Sequence, residues 1–256
     1  MATAAPRAVP NDVRLMNAVA SAVYAVAAVA VVAALLAWAM RAPVFTLRGI
    51  RVEGDTGRSS VATIRANALP MLSGNFFTLD LRAARVAFES VPWVRRAVVR
   101  RVWPNRLSVT LEEHRAAALW SDEGNDKLVN AQGEVFEANV GDVEDDGLPR
   151  FEGPVGSAAQ MLAMHARLVP LFAQIEAGLE GLTLTRRGSW RAVLDTGAVV
   201  EIGRGTDEEL AERTGRFVRT LGQVSARFER PLESADLRHA DGYAVRLKGV
   251  RTGNQR

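Results

Sequence analysis

The chain has no cysteine, and that absence excludes disulfides, thiolate metal sites and cysteine nucleophiles together. Lysine is almost missing: of 32 basic residues only Lys127 and Lys248 are lysine. Beside so much alanine this is a compositional bias toward arginine, so the net charge of +3 is no argument for nucleic acid, which is not expected as a partner. Histidine is sparse too. His114, His165 and His239 lie far apart and none has a metal-ligand neighbour at helical spacing, so neither a metal nor a cofactor is expected.

The motifs of catalysis are lacking in the same way. No serine stands in a nucleophile elbow and no P-loop is present. Glu112-Glu113 is a carboxylate pair outside the acidic loop and its rim, but adjacent residues of a strand point to opposite faces. Gly203-Arg204-Gly205-Thr206 stands between a strand pattern and a helix pattern, yet Glu208 occupies the place of a dinucleotide loop's third glycine. Thr206 and Glu209 fit a capping box instead, and no small-molecule substrate is expected. The sequence argues against an enzyme.

What is present begins with Leu15 to Met40, 26 residues without a charge between Arg14 and Arg41. As a helix this run is about 39 Å long, enough to cross a hydrocarbon core of about 30 Å with some tilt. Eleven of the 26 residues are alanine, so the run is only mildly apolar. Two other readings compete. A buried helix of a soluble protein is usually shorter and carries a polar face. A cleaved signal peptide has support in the small-x-small pattern Ala37-Trp38-Ala39, but the run far exceeds an h-region of about 7 to 15 residues. An uncleaved anchor is the expectation. The flanking arginines, Arg7 and Arg14 against Arg41, Arg48, Arg51 and Arg58, point the long segment inward, which counts for little because long domains translocate largely regardless of such charge.

After the anchor, Phe45, Leu47 and Ile50 to Val52 predict a first strand stopped by Glu53-Gly54-Asp55. Ser59 or Ser60 caps a helix through Val61, Ile64 and Ala68, and Asp80 caps a second with Leu81, Ala84 and Phe88 on one side. Val94 to Trp103 and Leu107 to Leu111 form a hairpin across Pro104-Asn105. The order is strand, helix, helix, strand, strand.

A second module follows Trp120. It predicts short strands at Lys127 to Asn130 and Gly133 to Glu137, an acidic loop from Gly141 to Gly147, and a helix capped by Ser157 carrying Met161, Leu162, Leu168, Phe172 and Ile175, kinked at Pro170. Leu182 and Leu184 alternate with threonines, and Trp190 to Leu194 meets Val199 to Ile202 across Asp195-Thr196-Gly197. The next helix buries Leu210, Thr214, Phe217, Leu221, Val224 and Phe228. The last structured piece, Leu237 to Val250, holds Asp241-Gly242 between strand-like runs, and in its final strand Tyr243, Val245 and Leu247 alternate with Ala244, Arg246 and Lys248. Its exposed edge could accept another chain, although completion of the protein's own sheet is the default. Charge is segregated: Arg41 to Arg115 has 13 arginines against 6 acids, and Ser121 to Glu152 has 10 acids against 2 bases. Solvated faces explain this more simply than a basic domain lying near anionic headgroups.

Several runs look familiar in order: Gly74-Asn75-Phe76-Phe77, Val91-Pro92-Trp93-Val94, Val99 to Leu107, Leu128-Val129-Asn130 with Gly133 to Phe136, Leu148-Pro149 with Gly153-Pro154, Arg187 to Trp190, and Asp236-Leu237-Arg238 with Gly242. Together they cover roughly Val44 to Val250 and resemble the FtsQ/DivIB family of cell division proteins of Gram-negative bacteria. The resemblance implies an α+β protein with a single N-terminal transmembrane helix, a POTRA domain (β-α-α-β-β), then a mixed β domain with flanking helices. In this chain that means a cytoplasmic tail at 1–14, the transmembrane helix at 15–40, the POTRA domain at 41–114, the β domain at 115–250 and a C-terminal tail at 251–256.

The function implied is that of an essential, non-enzymatic scaffold of the inner membrane at the division septum, with its large part periplasmic. It would bind FtsB and FtsL and link them to the septal synthase pair FtsW and FtsI, with FtsK a further contact of the POTRA part. In the family the final strand receives a segment of FtsB by strand addition. Carried onto this chain, the partner surface comprises His239, Asp241, Gly242, Tyr243, Val245 and Leu247, with Arg187 as a further contributor. Gly242 would allow close approach, Tyr243 and Leu247 would be apolar anchors if they face the partner, and Arg187 could pair with a carboxylate. Two departures stand out. His239 replaces the family's usual tyrosine after Asp236-Leu237-Arg238, and the usual proline near Ala116 is absent. Two other functions compete. An anchored wall hydrolase would need a metal site or converging carboxylates, for which Glu112, Glu113 and Asp195 are the candidates, and a POTRA chaperone of export normally adjoins a β-barrel, for which this chain has no series of strands.

Overall fold

The computed structural model describes residues 11–121, 126–228, 230–239 and 242–249. Helix α1, Asn11–Met40, begins one turn before the uncharged run and is exposed along its length, as a helix solvated by lipid on all sides would be. Among the described residues it is the one helix long and apolar enough to cross a membrane. The rest of the chain divides into two compact units, each with its own sheet.

The first unit comprises Met1–Thr56, Ser60–Val91 and Arg96–Glu112. Strands β1 (Gly49–Gly54), β2 (Val94–Val102) and β3 (Arg106–Glu113) lie in the order β1-β3-β2, with β1 parallel to β3 through Ile50↔Leu107 and Val52↔Val109. Leu107, Val109 and Leu111 are buried, which is the alternation read from the sequence. Helices α2 (Val61–Ala68) and α3 (Leu81–Glu89) begin where their caps predict. Ser60 Oγ accepts from Thr63 N–H at 3.0 Å, and Asp80 Oδ1 accepts from Arg82 and Ala83 N–H at 2.7 and 3.3 Å. Their inward residues Ile64, Ala68, Ala84 and Phe88 are buried. The first strand is shorter than predicted. Pro43–Phe45 forms a 3-10 turn, since proline presets φ at its start, and Thr46 Oγ1 donates to the Pro43 carbonyl at 2.7 Å, so Phe45 and Leu47 precede the strand.

The second unit comprises Gly57–Ser59, Pro92–Arg95 and Glu113–Arg256. Its sheet contains β4 (Ala116–Trp120), β5 (Lys127–Asn130), β6 (Val135–Phe136), β7 (Arg150–Glu152), β8 (Leu179–Leu184), β9 (Trp190–Leu194), β10 (Val199–Gly203), β11 (Leu232–Asp236) and β12 (Ala244–Leu247). The order is β12-β11-β10-β9-β8-β7-β4-β5-β6. Helices α4 (Ala158–Phe172) and α5 (Asp207–Phe228) supply Met161, Met164, Leu168, Phe172, Phe217 and Leu221 to a core shared with Phe151, Leu182 and Val200 from the strands. Most of this was expected, but α4 stops at Phe172 and a 3-10 turn, Ala173–Ile175, replaces its predicted last turn. Ser157 does not cap it: its backbone is already helical and its hydroxyl donates to the Pro154 carbonyl at 2.7 Å. The acidic loop is wound into 3-10 turns over Val140–Asp146, started by Asn139 and ended by left-handed Gly147.

Buried polar groups in this unit are satisfied locally. Glu113 accepts from the N–H groups of Arg58 and Ser59 at 2.9 and 2.6 Å, and Trp93 Nε1 donates to Asp142 at 2.9 Å. Asn130 accepts from Gln132 and Glu134 N–H and donates to the Glu134 carboxylate, while Arg95 forms an ion pair with that carboxylate at 2.8 Å. The Arg95 and Asn130 donors hold the Glu134 carboxyl down to about 2.

Candidate functional site

Strand β12 lies at one edge of the nine-stranded sheet. It is antiparallel to β11, through Ala235↔Val245 and Asp236↔Ala244, and its other side carries no strand among the described residues. A row of main-chain donors and acceptors is left there for another chain. The helix behind it decides which way its side chains point. Leu247 is 7 % exposed and belongs to the core, while Tyr243 and Val245 pack against that core. The Tyr243 ring meets Phe217 of α5 edge-on at 5.2 Å, and its hydroxyl donates to Thr220.

This corrects one expectation. Leu247 does not offer an apolar anchor to a partner, because the alternating face of β12 that carries it is the face α5 covers. Tyr243 and Val245 are turned the same way and are only partly exposed. Ala244, Arg246 and Lys248 occupy the opposite, exposed face. His239 and Gly242 are exposed beside the strand, and a Cβ on Gly242 would meet nothing within 4 Å, so the unit's own packing does not require glycine there. Asp241 lies outside the described residues. Arg187 is exposed on the turn joining β8 to β9, at the sheet end shared with Tyr243 but three strands away, about 14 Å at the usual strand spacing.

A cleft of about 370 Å³ opens beside this edge, lined by Arg213, Arg216, Thr220, Leu237, His239, Gly242 and Tyr243. The two arginines belong to no sequence motif, and the one local signal for them is the spacing of Arg213, Arg216 and Thr220, which places them on one face of α5. Arg213 is occupied in part, donating to the carbonyls of Ile202 and Arg204 at 2.8 and 3.2 Å. Arg216 is exposed. Arg238 grips Asp236 through Nε and Nη2 at 2.9 and 2.6 Å, and this pairing holds the Asp236 carboxyl down to about 2. The cleft wall is therefore cationic, with an open strand edge alongside. Such a site can register an added strand and attract a carboxylate; the described residues contain no cluster able to hold a metal ion.

Comparison with known proteins agrees with this architecture. Residues 45–114 match the family model described as POTRA domain, FtsQ-type, and residues 118–238 match that described as cell division protein FtsQ/DivIB, C-terminal. His239, Gly242, Tyr243, Val245 and Leu247 lie just beyond the second match. The cell division protein FtsQ of Burkholderia pseudomallei is 45 % identical over 242 residues, covering 94 % of this chain and 95 % of that one. Those of Thiomonas arsenitoxydans and Bordetella pertussis are 38 % and 39 % identical, covering 98 % and 93 % of this chain and 93 % and 92 % of their own. The first unit's strand-helix-helix-strand-strand order, the single apolar helix before it, and these matches along nearly the whole length place the chain in the FtsQ/DivIB family of cell division proteins.

Proposed function

We propose that this protein is a non-enzymatic division scaffold, anchored by α1 in the inner membrane at the septum with residues 41–256 in the periplasm, and that its second unit binds FtsB by strand addition at β12. FtsL would join through FtsB, and the assembly would stand between FtsK and the synthase pair FtsW and FtsI. The observation that carries this reading is the open edge of β12 beside the arginine-lined cleft. Main-chain hydrogen bonds supply the register, Arg216 supplies a charge for a partner carboxylate, and exposed Gly242 leaves room for close approach. Tyr243 and Leu247 then serve by holding β12 in position from within.

Calorimetry of the full-length chain in detergent micelles with the periplasmic part of the same organism's FtsB tests it. Binding should weaken at least about tenfold in Arg216→Glu, which reverses an exposed charge without touching the core. Equal affinity for both proteins would move the site away from this cleft. Arg187→Ala gives a graded comparison, since its distance from β12 predicts a smaller effect.

A further inference from the structure

Helix α1 ends at Met40, and the chain that leaves it is fastened at once to two loops of the same unit. The Asn75 side-chain amide donates to the Met40 carbonyl at 2.7 Å, and Phe76 N–H donates to the Phe45 carbonyl at 2.9 Å. On the other side the Asn105 amide donates to the Val44 carbonyl at 3.3 Å, and Arg48 N–H donates to the Asn105 carbonyl at 3.0 Å. Asn75 lies between α2 and α3; Asn105 lies in the turn between β2 and β3. Arg101 stiffens the first of these loops by donating to the carbonyls of Phe76 and Leu79, both at 2.6 Å. The foot of the anchor and the two loops form one hydrogen-bonded end of the unit.

This end exposes apolar surface that the unit's core does not use. Trp103, in the β2–β3 turn, is 75 % exposed, Val44 is 59 % exposed and Phe77 is 43 % exposed. Phe77 is held there by edge-on contacts with Phe45 at 4.8 Å and Phe76 at 5.3 Å. Arg41, Arg48 and Arg106 are exposed in the same segments. An amphipathic indole beside an apolar phenyl ring, with arginine stems and guanidinium heads, gathered where an apolar helix ends, has the composition of a membrane–water boundary. The occupant is set by chain continuity, because Val44 is only four residues from the end of α1 and cannot leave its vicinity.

We propose that Trp103 and Phe77, with Val44 between them, enter the interfacial layer of the same membrane that α1 crosses, while Arg41, Arg48 and Arg106 meet its anionic headgroups. The first unit is then seated on the bilayer by its loop end. This rests on reading α1 as a membrane span, and the test separates the two claims.

The full chain is reconstituted into phosphatidylethanolamine–phosphatidylglycerol vesicles with and without lipid brominated near the carbonyl end of its chains, which quenches tryptophan by contact. In Trp38→Phe, the tryptophans other than Trp103 are Trp93, Trp120 and Trp190, all buried inside the protein and out of reach. Brominated lipid should remove about one tryptophan's share of the emission, and the double variant Trp38→Phe/Trp103→Phe should lose none. Trp103→Phe alone retains Trp38, in the last turn of α1, as a reporter of the span itself. Quenching of Trp38 without quenching of Trp103 would overturn the interfacial seat and leave the span standing. Quenching of neither would overturn both.

Discussion

Glu113 is a buried carboxylate whose two oxygens accept the main-chain N–H groups of Arg58 and Ser59. Removing it leaves two donors without a partner in a place water does not reach freely. Glu113→Ala should therefore lower stability by about 2–3 kcal/mol, and Glu113→Gln, which keeps one acceptor oxygen, by less. Urea unfolding of the three proteins measures this; an unchanged midpoint in the alanine variant would show that solvent replaces the carboxylate. His165 gives a different signature. It is half-buried against Phe151, and desolvation lowers its pKa below the ordinary 6.5 despite a hydrogen bond with the Leu179 main chain. The unfolded chain then takes up the proton first as pH falls, so stability is complete above about 6.5 and declines below it, toward the lower folded value. His165→Leu should flatten that decline. The carboxyls of Glu134 and Asp236 lose their contributions only between their ordinary values of 4.5 and 3.8 and about 2, a separate acid step.

The capping box at the start of α5 is an element-scale device readable from four residues. Thr206 N–H donates to Glu209 Oε2 at 2.9 Å and Glu209 N–H to Thr206 Oγ1 at 3.3 Å, which is the reciprocal arrangement the sequence predicts. Thr206→Ala should cost about 1 kcal/mol in urea unfolding. At the other side of the same helix, Phe217 and Thr220 hold Tyr243, and through it the edge strand β12. With Tyr243→Ala, the amides of β12 should exchange with solvent hydrogen faster while those of β8 and β9 stay protected. Unaltered protection of β12 would mean that pairing with β11 alone keeps it in place.

At the scale of the whole molecule, two sheets each bury their own core, and each should melt as a unit. Leu107 and Leu182 are both almost fully buried, one in each core. Leu107→Ala and Leu182→Ala should each cost about 2–5 kcal/mol and lower different transitions in scanning calorimetry of the full chain. A single transition shifted alike by both would show that the two units unfold as one.

Local chemistry sufficed for much of this protein. The uncharged run that became α1, the serine and aspartate caps of α2 and α3, the hairpin of β2 and β3 and the capping box all depend on residues within a few positions of one another, so the sequence by itself determined them. Strand β11 escaped because its buried residues, Leu232 and Ala235, stand three apart across a register shift instead of two, and β7 because Arg150–Glu152 turns only Phe151 inward and so has no alternation to read. The tertiary structure decided the rest. Alternation in Tyr243, Val245 and Leu247 says that they share a face, but a period of two is the same whichever face meets the core, and only the packing of α5 turned them inward. Likewise β12 is an edge because of the order in which distant strands pair, and the arginine cleft exists because α5 lies beside that edge. Both are long-range contacts, which no local pattern encodes.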